Sequence, residues 1–158
     1  MPVSPQEFRN ALANFASGVT VVTTVDDDGA LYGLTVSAFC SVSLVPPMIL
    51  VCVEKSARCH DVFRDRGRFA VNMLGEGQRS VSERFATQLE DKFEGIEYED
   101  SPSGMPLIPG AIAKLDCRLE HAYDGGDHTI FVGMVEDASV AGGDPLLYSE
   151  GRYRRITD

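Results

Sequence analysis

Small hydroxyl side chains at alternate positions of an apolar stretch, Gly33 to Val53, are the first groups here that could serve a ligand. Apolar residues fall between them, so the period of two predicts a strand with one apolar face and one face of short polar groups. Short side chains would let a ligand approach the backbone closely. A strand that carries threonine and serine only for their β propensity fits the same pattern. The polar residues are Thr35, Ser37, Ser41 and Ser43.

A polar corner follows this stretch. Pro46-Pro47 cannot donate hydrogen bonds to a ladder, and the apolar run from Met48 to Val53 then predicts a buried central strand. Lys55-Ser56 comes next, at the predicted start of a helix over Ser56 to Arg66. Backbone N–H groups at a helix start, together with one ammonium, could bind an anion. An ordinary helix cap at Ser56 explains the same residues.

A second candidate is Gly126-Asp127-His128, at the tip of a predicted hairpin. His128 could face a ligand, or it could be only the first exposed residue of the returning strand. Neither this turn nor Lys55-Ser56 identifies a function by itself.

Covalent catalysis finds little support in the sequence. No serine lies in a GxSxG elbow, and none of His60, His121 and His128 belongs to a recognisable nucleophile motif. The nucleotide loops GxGxxG and GxxxxGK(S/T) are absent. An enzyme without such groups often leaves the chemistry to a cofactor.

The four cysteines show no zinc-binding spacing, and we expect reduced, buried thiols. A metal site that combines three of them with His60 is the weaker alternative. These four residues would be Cys52, Cys59, His60 and Cys117.

Composition limits the classes of partner. The formal net charge of −10 argues against a nucleic-acid surface, which requires a basic patch. No apolar run reaches the roughly 18 residues of a membrane span, and the first ten residues lack the pattern of a signal peptide. We therefore expect a cytoplasmic protein. At 158 residues, a single domain over 1–158 is expected.

The elements that would position these groups are mostly strands. Ser4-Pro5-Gln6-Glu7 predicts a capped helix that runs to Gly18, with Phe8, Leu12 and Phe15 on one face. Segment 90–110 is rich in proline and glycine and predicts a long surface loop. Six or seven strands without regular βαβ alternation favour an antiparallel barrel or sandwich over a doubly wound sheet. The predicted strands are 19–25, the 33–44 stretch, 48–53, 69–74, 114–123, 129–140 and 146–148.

Taken in order, several motifs resemble those of the short-chain flavin reductase family, the reductase components of two-component flavin-dependent monooxygenases. The resemblance covers about Phe8 to Tyr153, and the order of the motifs is more specific than any one of them. They are FASGVTVVTT, YGLTVSAFCSVSLVPPMILVCVEKSA, FAVNML, SERFA, GDHTIFVGMV and PLLYSEGRY. One departure is Val45, where many relatives carry Asp before the Pro-Pro pair.

The resemblance implies a mainly β fold: a split β-barrel of Greek-key, FMN-binding type with short helices. It implies FMN or FAD as the flavin, NADH or NADPH as the reductant, a homodimer, and a separate flavin-dependent monooxygenase as partner.

The resemblance also implies roles for particular residues. Thr35, Val36, Ser37 and Ala38 would line the isoalloxazine ring through backbone groups. Val53, Glu54, Lys55 and Ser56, with help from Ser41, would hold the ribityl chain and phosphate. Arg84 and Phe85 would close over the phosphate or adenine side of the flavin. His128 would face the nicotinamide, and the pyridine nucleotide would be flanked by Tyr148, Gly151, Arg152 and Tyr153.

Two alternatives to a flavin reductase remain open from the sequence. The bound flavin could reduce another small acceptor, or the chain could be a flavin-binding module without activity. The Gly-Asp-His turn and the Gly-Arg-Tyr tail argue against the second alternative, because a storage protein needs no nicotinamide site.

Overall fold

An antiparallel seven-stranded sheet dominates the computed structural model, which describes all residues 1–158. Its strands are β2 (Thr20–Val25), β3 (Leu31–Val36), β4 (Phe39–Ser43), β5 (Met48–Glu54), β6 (Arg68–Met73), β9 (Ala113–Gly125) and β10 (His128–Val140). Their order in the sheet is β3-β2-β6-β9-β10-β5-β4. This confirms a mainly β, barrel-like architecture rather than a doubly wound sheet.

Smaller elements surround this sheet. A three-stranded sheet joins β1 (Ser17–Gly18), β11 (Leu147–Ser149) and β12 (Arg152–Arg154), and a two-stranded one joins β7 (Glu99–Asp100) to β8 (Pro106–Leu107). The helices are α1 (Pro5–Leu12), α2 (His60–Arg66) and α3 (Arg79–Phe85), the last preceded by a 3-10 turn at Glu76–Gln78. None of these helices is long and apolar enough to cross a bilayer.

The two end strands of the sheet, β3 and β4, follow each other in the chain with only two residues between them. The sheet must therefore curl to bring its two ends together. The Cys52 N–H of β5 donates to the Ala38 carbonyl between them, at 3.0 Å. This bond attaches Ser37-Ala38, the two residues that link the end strands, to β5. The opening of the barrel therefore lies beside β3 and β5. The interior is filled by one apolar cluster that includes Val22, Val51 and Phe131.

The strand β2 is buried on both faces. Val22 points into the barrel interior, whereas Val21 belongs to a second apolar cluster outside the barrel. That outer cluster includes Phe85 of α3, together with Phe93 and Ile108 from the segment 90–110. The outer cluster therefore attaches α3 and this segment to the sheet beside β3.

The sequence Asp26-Asp27-Asp28-Gly29 predicts a hairpin turn of the Asp-Gly type. This hairpin and the one predicted at Gly126 are both confirmed. The Asp26 carboxylate accepts hydrogen bonds from the N–H groups of Asp28 and Ala30, and Gly29 takes the left-handed conformation that closes the turn. The second hairpin joins β9 to β10, with Gly126 at its tip in a left-handed conformation.

The stretch predicted as one alternating strand is two strands. β3 ends at Val36 and β4 begins at Phe39, because the chain crosses at Ser37-Ala38 from one edge of the sheet to the other. The prediction that β5 is buried on both faces is also wrong. Ile49, Val51 and Val53 are buried, but the residues between them are only half-buried, because they face outward.

Three element boundaries also differ from the predictions. The first helix has the predicted capping box but ends at Leu12, and β1 begins at Ser17. The second helix starts at His60, four residues late, because a turn follows β5 in which the Ala57 N–H donates to the Glu54 carbonyl. Arg152 and Tyr153 of the predicted Gly-Arg-Tyr tail lie in a further strand, β12.

The predicted surface loop 90–110 is largely anchored to the protein. It contributes the buried side chains of Phe93, Met105 and Ile108, and it forms β7 and β8. Proline and glycine give this segment the composition of a loop, but its apolar residues pack against β2 and α3.

Candidate functional site

A cavity of about 590 Å³ lies at the open edge of β3, which pairs only with β2. Its walls come from residues 30–34 of the β3 region, from Glu54 and residues 56–59 after β5, and from residues 88–93 with Tyr98. A cavity of this volume falls within the range that holds small-molecule ligands, roughly 300–1,000 Å³.

Lys92 reaches across one wall of the cavity. Its ammonium donates to the Gly33 carbonyl of β3 at 3.1 Å and to the Phe85 carbonyl at the end of α3 at 2.9 Å. Burial lowers the pKa of Lys92 below that of a free lysine. Nothing in the sequence pattern singled out Lys92, because its role depends on two carbonyls that are distant along the chain.

The turn after β5 and the tip of the β9–β10 hairpin are adjacent. His128 pairs with Glu54 in the register of β10 and β5, and the Lys55 N–H donates to the Asp127 carbonyl at 2.9 Å. The Lys55 ammonium also pairs with the Asp124 carboxylate, and their hydrogen bond lowers the pKa of Asp124. The structure thus brings together the two polar features that the sequence suggested separately.

The imidazole of His128 is held by its neighbour. Its Nδ1 lies 2.6 Å from Oδ1 of Asp127, and this hydrogen bond lowers the pKa of the Asp127 carboxyl. The His128 side chain keeps 42% of its surface exposed. It is therefore oriented by Asp127 and remains accessible to a ligand.

The anion site proposed at a helix N-terminus is wrong in its geometry. Ser56 is exposed and lies in the turn after β5, so no helical N–H groups are aligned beside it. Positive charge near this turn comes instead from side chains, namely Lys55, which pairs with Asp124, and Arg58, which pairs with Glu90.

The predicted shelf of Thr35, Val36, Ser37 and Ala38 lies where β3 leads into β4. The Thr35 hydroxyl donates to the Ser82 carbonyl of α3 at 2.6 Å, so it is engaged within the protein. The Val36 side chain is buried in the barrel, whereas Ser37, Ala38 and also Ser41 of β4 are exposed. Ligand contacts along this link would therefore use backbone groups and the serine hydroxyls.

Arg84 and Phe85, which were predicted to close over the flavin, are engaged in contacts within the protein. The Arg84 guanidinium donates to the carbonyls of Lys92, Asp91 and Glu94 at 3.1, 3.2 and 2.9 Å. The Phe85 ring is fully buried, edge-on to Phe93 with 5.0 Å between the ring centroids. Both residues thus shape the cavity wall at residues 91–94 from behind.

The C-terminal residues of the prediction form the β11–β12 hairpin beside α3. The Tyr153 hydroxyl lies 2.8 Å from the Ser82 hydroxyl, and the Arg79 guanidinium lies over the Tyr153 ring at 5.0 Å. Tyr148 packs edge-on to Tyr153, while Gly151 forms the turn and Arg152 is exposed. Ser82 contacts both Thr35 and Tyr153, so these C-terminal residues lie beside Thr35. They do not lie at the hairpin tip that carries His128.

The alternative metal site is not formed. No three histidine, cysteine, aspartate or glutamate side chains converge as ligands would. His60 places its Nε2 2.7 Å from the Thr129 hydroxyl and its Nδ1 2.8 Å from Asp61. Burial raises the pKa of Cys117 to about 12, as expected of an inert core thiol.

These features fit a phosphorylated aromatic ligand. The cavity is bordered by an open strand edge, by Arg58 and Lys92, and by aromatic rings at Tyr32, Phe93 and Tyr98. The exposed link Ser37-Ala38 follows β3 but does not line this cavity. The fold and this site together define a ligand-binding split barrel.

Comparison with known proteins identifies the family. The model of the Flavin reductase like domain matches residues 12–157, so the chain belongs to this family. The reductase subunit HsaB of a flavin-dependent monooxygenase from Rhodococcus jostii is 40% identical over 98% of this chain and 79% of its own length. The FMN reductase (NADH) SmoA from Agrobacterium fabrum is 42% identical over 96% of this chain and 86% of its own length.

A solved structure agrees with this assignment. The NADH:FAD oxidoreductase SgcE6 from Streptomyces globisporus, in complex with NAD and FAD fragments, superposes with a TM-score of 0.92 at 38% identity. The match covers 99% of this chain and 97% of that one.

Proposed function

We propose that this protein is an NAD(P)H-dependent flavin reductase, which reduces FMN or FAD by hydride transfer and supplies the reduced flavin to a separate monooxygenase. The family match over residues 12–157 carries this conclusion. The cavity supports it, because β3 and the turn after β5 both line it, and Glu54 at its border lies across from His128 at the hairpin tip.

The flavin would be held mostly by the backbone. The backbone groups from Thr35 to Ala38 would border the isoalloxazine ring. The turn from Val53 to Ser56, with Ser41, would hold the ribityl chain and phosphate. A bound flavin supplies a hydride acceptor, and the chain supplies orientation, which can contribute up to about 7–11 kcal/mol. Backbone N–H groups fixed by the barrel also stabilise negative charge without reorganising.

The nicotinamide would be oriented by His128, which Asp127 holds in place. In this proposal the pyridine nucleotide is flanked by Tyr148, Gly151, Arg152 and Tyr153. Support comes from their accessible position beside α3 and Thr35, next to the proposed ring shelf.

Anaerobic mixing of the protein with flavin and NADH tests the function directly. We expect loss of the yellow flavin absorbance at a rate that depends on enzyme concentration, with one NADH oxidised per flavin reduced. NADPH in place of NADH then reports the nicotinamide preference. Flavin that stays oxidised with both nucleotides would refute the proposal.

The homodimer belongs to the same proposal, and exposed apolar side chains support it. Val42, Leu44 and Val45 on and after β4 are 48%, 87% and 89% exposed, and the apolar face of α1 is uncovered. Clustered exposed apolar side chains, such as these three close neighbours on and after β4, are typical of protein interfaces. The cytoplasmic location is also part of the proposal, supported by four unpaired cysteines, which are typical of a reducing compartment.

Leu44→Asp should convert the dimer to a monomer, because a carboxylate would have to be buried without a partner at the interface. Light scattering coupled to gel filtration measures this at micromolar concentration. The control is Ile156→Asp, at an exposed residue near the C-terminus, which should leave the mass unchanged. If the Leu44→Asp variant is still a dimer, the surface around Leu44 is not the dimer interface.

A further inference from the structure

One ion pair spans the cavity. Arg58, from the turn after β5, places its Nη2 3.1 Å from Oε1 of Glu90, which follows α3. Both residues line the cavity, and they are 32 positions apart in the sequence. The pair therefore joins the segment after β5 to the segment after α3 at the cavity, close to the turn proposed to hold the flavin phosphate.

The other charged residues of the cavity do not form ion pairs with each other. Lys92 is held by two backbone carbonyls, and the Asp91 carboxylate accepts hydrogen bonds from the N–H groups of Phe93 and Glu94. Glu54 adds a further carboxylate. Arg58 is thus the cavity cation whose hydrogen-bond partner is an exposed side chain, and 86% of the Glu90 side-chain surface is open to solvent.

A phosphate ester would compete for the same guanidinium. Arginine binds phosphate through short, charge-assisted hydrogen bonds, and a phosphate monoester carries nearly two negative charges at neutral pH. An exposed ion pair contributes little stability, so Glu90 can be displaced. Even when displaced, its carboxylate remains tethered beside the phosphate and repels it.

We infer that Glu90 limits the affinity of the site for phosphorylated flavins by competing with their phosphate for Arg58. The inference rests on the proposed function and deepens it, because a weakened hold on the phosphate suits a flavin that is released after reduction. Glu90 thereby favours release of a phosphorylated flavin.

The substitution Glu90→Gln tests this inference, because it removes the charge and keeps the size of the side chain. We expect the Kd for FMN, measured by quenching of flavin fluorescence, to fall about two- to fivefold, the upper part of the range for a single exposed charge pair. The Kd for riboflavin, which has no phosphate, should change less than twofold. Added salt should reduce the difference in the Kd for FMN between the wild type and Glu90→Gln.

Two further variants make the test specific. Asp27→Asn removes the same charge from another exposed ion pair, with Arg66, outside the cavity, and should leave the Kd for FMN unchanged. In an Arg58→Gln background, Glu90→Gln should lose most of its effect, because the competition needs the guanidinium.

The outcomes separate this inference from the proposed function. If wild-type protein binds neither FMN nor riboflavin and leaves flavin oxidised, the proposed function fails. If wild type reduces flavin but Glu90→Gln binds FMN no better than Asp27→Asn does, only the role of Glu90 fails. An equal gain for riboflavin and FMN would also contradict competition with a phosphate.

Discussion

Replacing Phe85 with alanine should lower the free energy of unfolding by about 3–5 kcal/mol, the usual cost of deleting a buried aromatic ring. Phe85 is fully buried and belongs to the apolar cluster that attaches α3 to β2. Its ring packs so closely against Gly33 that a Cβ at that glycine would lie 2.6 Å from Cε1. The strand cannot collapse into the vacated volume without distorting the barrel, so we expect a cavity to remain.

Urea denaturation followed by circular dichroism measures this loss. Phe85→Leu, which keeps most of the apolar volume, should lose less stability, and Val140→Ala, at a residue 81% exposed, should lose almost none. The Phe85 carbonyl also accepts a hydrogen bond from Lys92, so loss of the ring should disturb the cavity wall. A midpoint for Phe85→Ala equal to that of Val140→Ala would show that the outer cluster does not stabilise the fold.

Local signals in the sequence predicted much of the fold. The capping box at Ser4 and Glu7, the turn at Asp26 and the tip at Gly126 each depend on neighbours within a few residues, and all three are present. The break at Ser37-Ala38 was missed, because the alternation of residue types continues unbroken through it. Only the wrapping of the sheet, with its two ends consecutive in the chain, explains why the strand stops there.

The sequence indicated two polar features of the candidate site but few of its contacts. Alternation and turn residues indicated the corner after β5 and the tip before His128, and the register of β5 and β10 brings them together. Long-range contacts decide the rest. Arg84 binds three carbonyls, and Lys92 bridges β3 and α3. No spacing rule joins such residues, because their partners are backbone atoms that any residue type would supply.

His128→Ala should raise the KM for NADH about three- to tenfold, corresponding to the loss of roughly one hydrogen bond of 0.5–1.5 kcal/mol. The imidazole is partly exposed at the hairpin tip and is oriented by the Asp127 carboxylate. It lies across from Glu54, at the border of the cavity and not within its flavin-facing wall. Its removal should therefore weaken flavin binding much less than nicotinamide binding. Steady-state kinetics with varied NADH, and flavin titration without NADH, measure the two effects separately.

His121→Ala provides the matched control, because it removes the same side chain from the same hairpin. His121 is exposed, stacks on Tyr123 and pairs with Val132 in the middle of β10, away from the tip. We expect its KM for NADH and its flavin affinity to equal those of the wild type. Equal losses of nicotinamide and flavin binding in His128→Ala would contradict the proposed placement, since they would mean that the imidazole supports the whole corner. A loss confined to the KM for NADH locates the nicotinamide at the β9–β10 tip, because no other part of the protein depends on this ring for a hydrogen bond except Asp127 beside it.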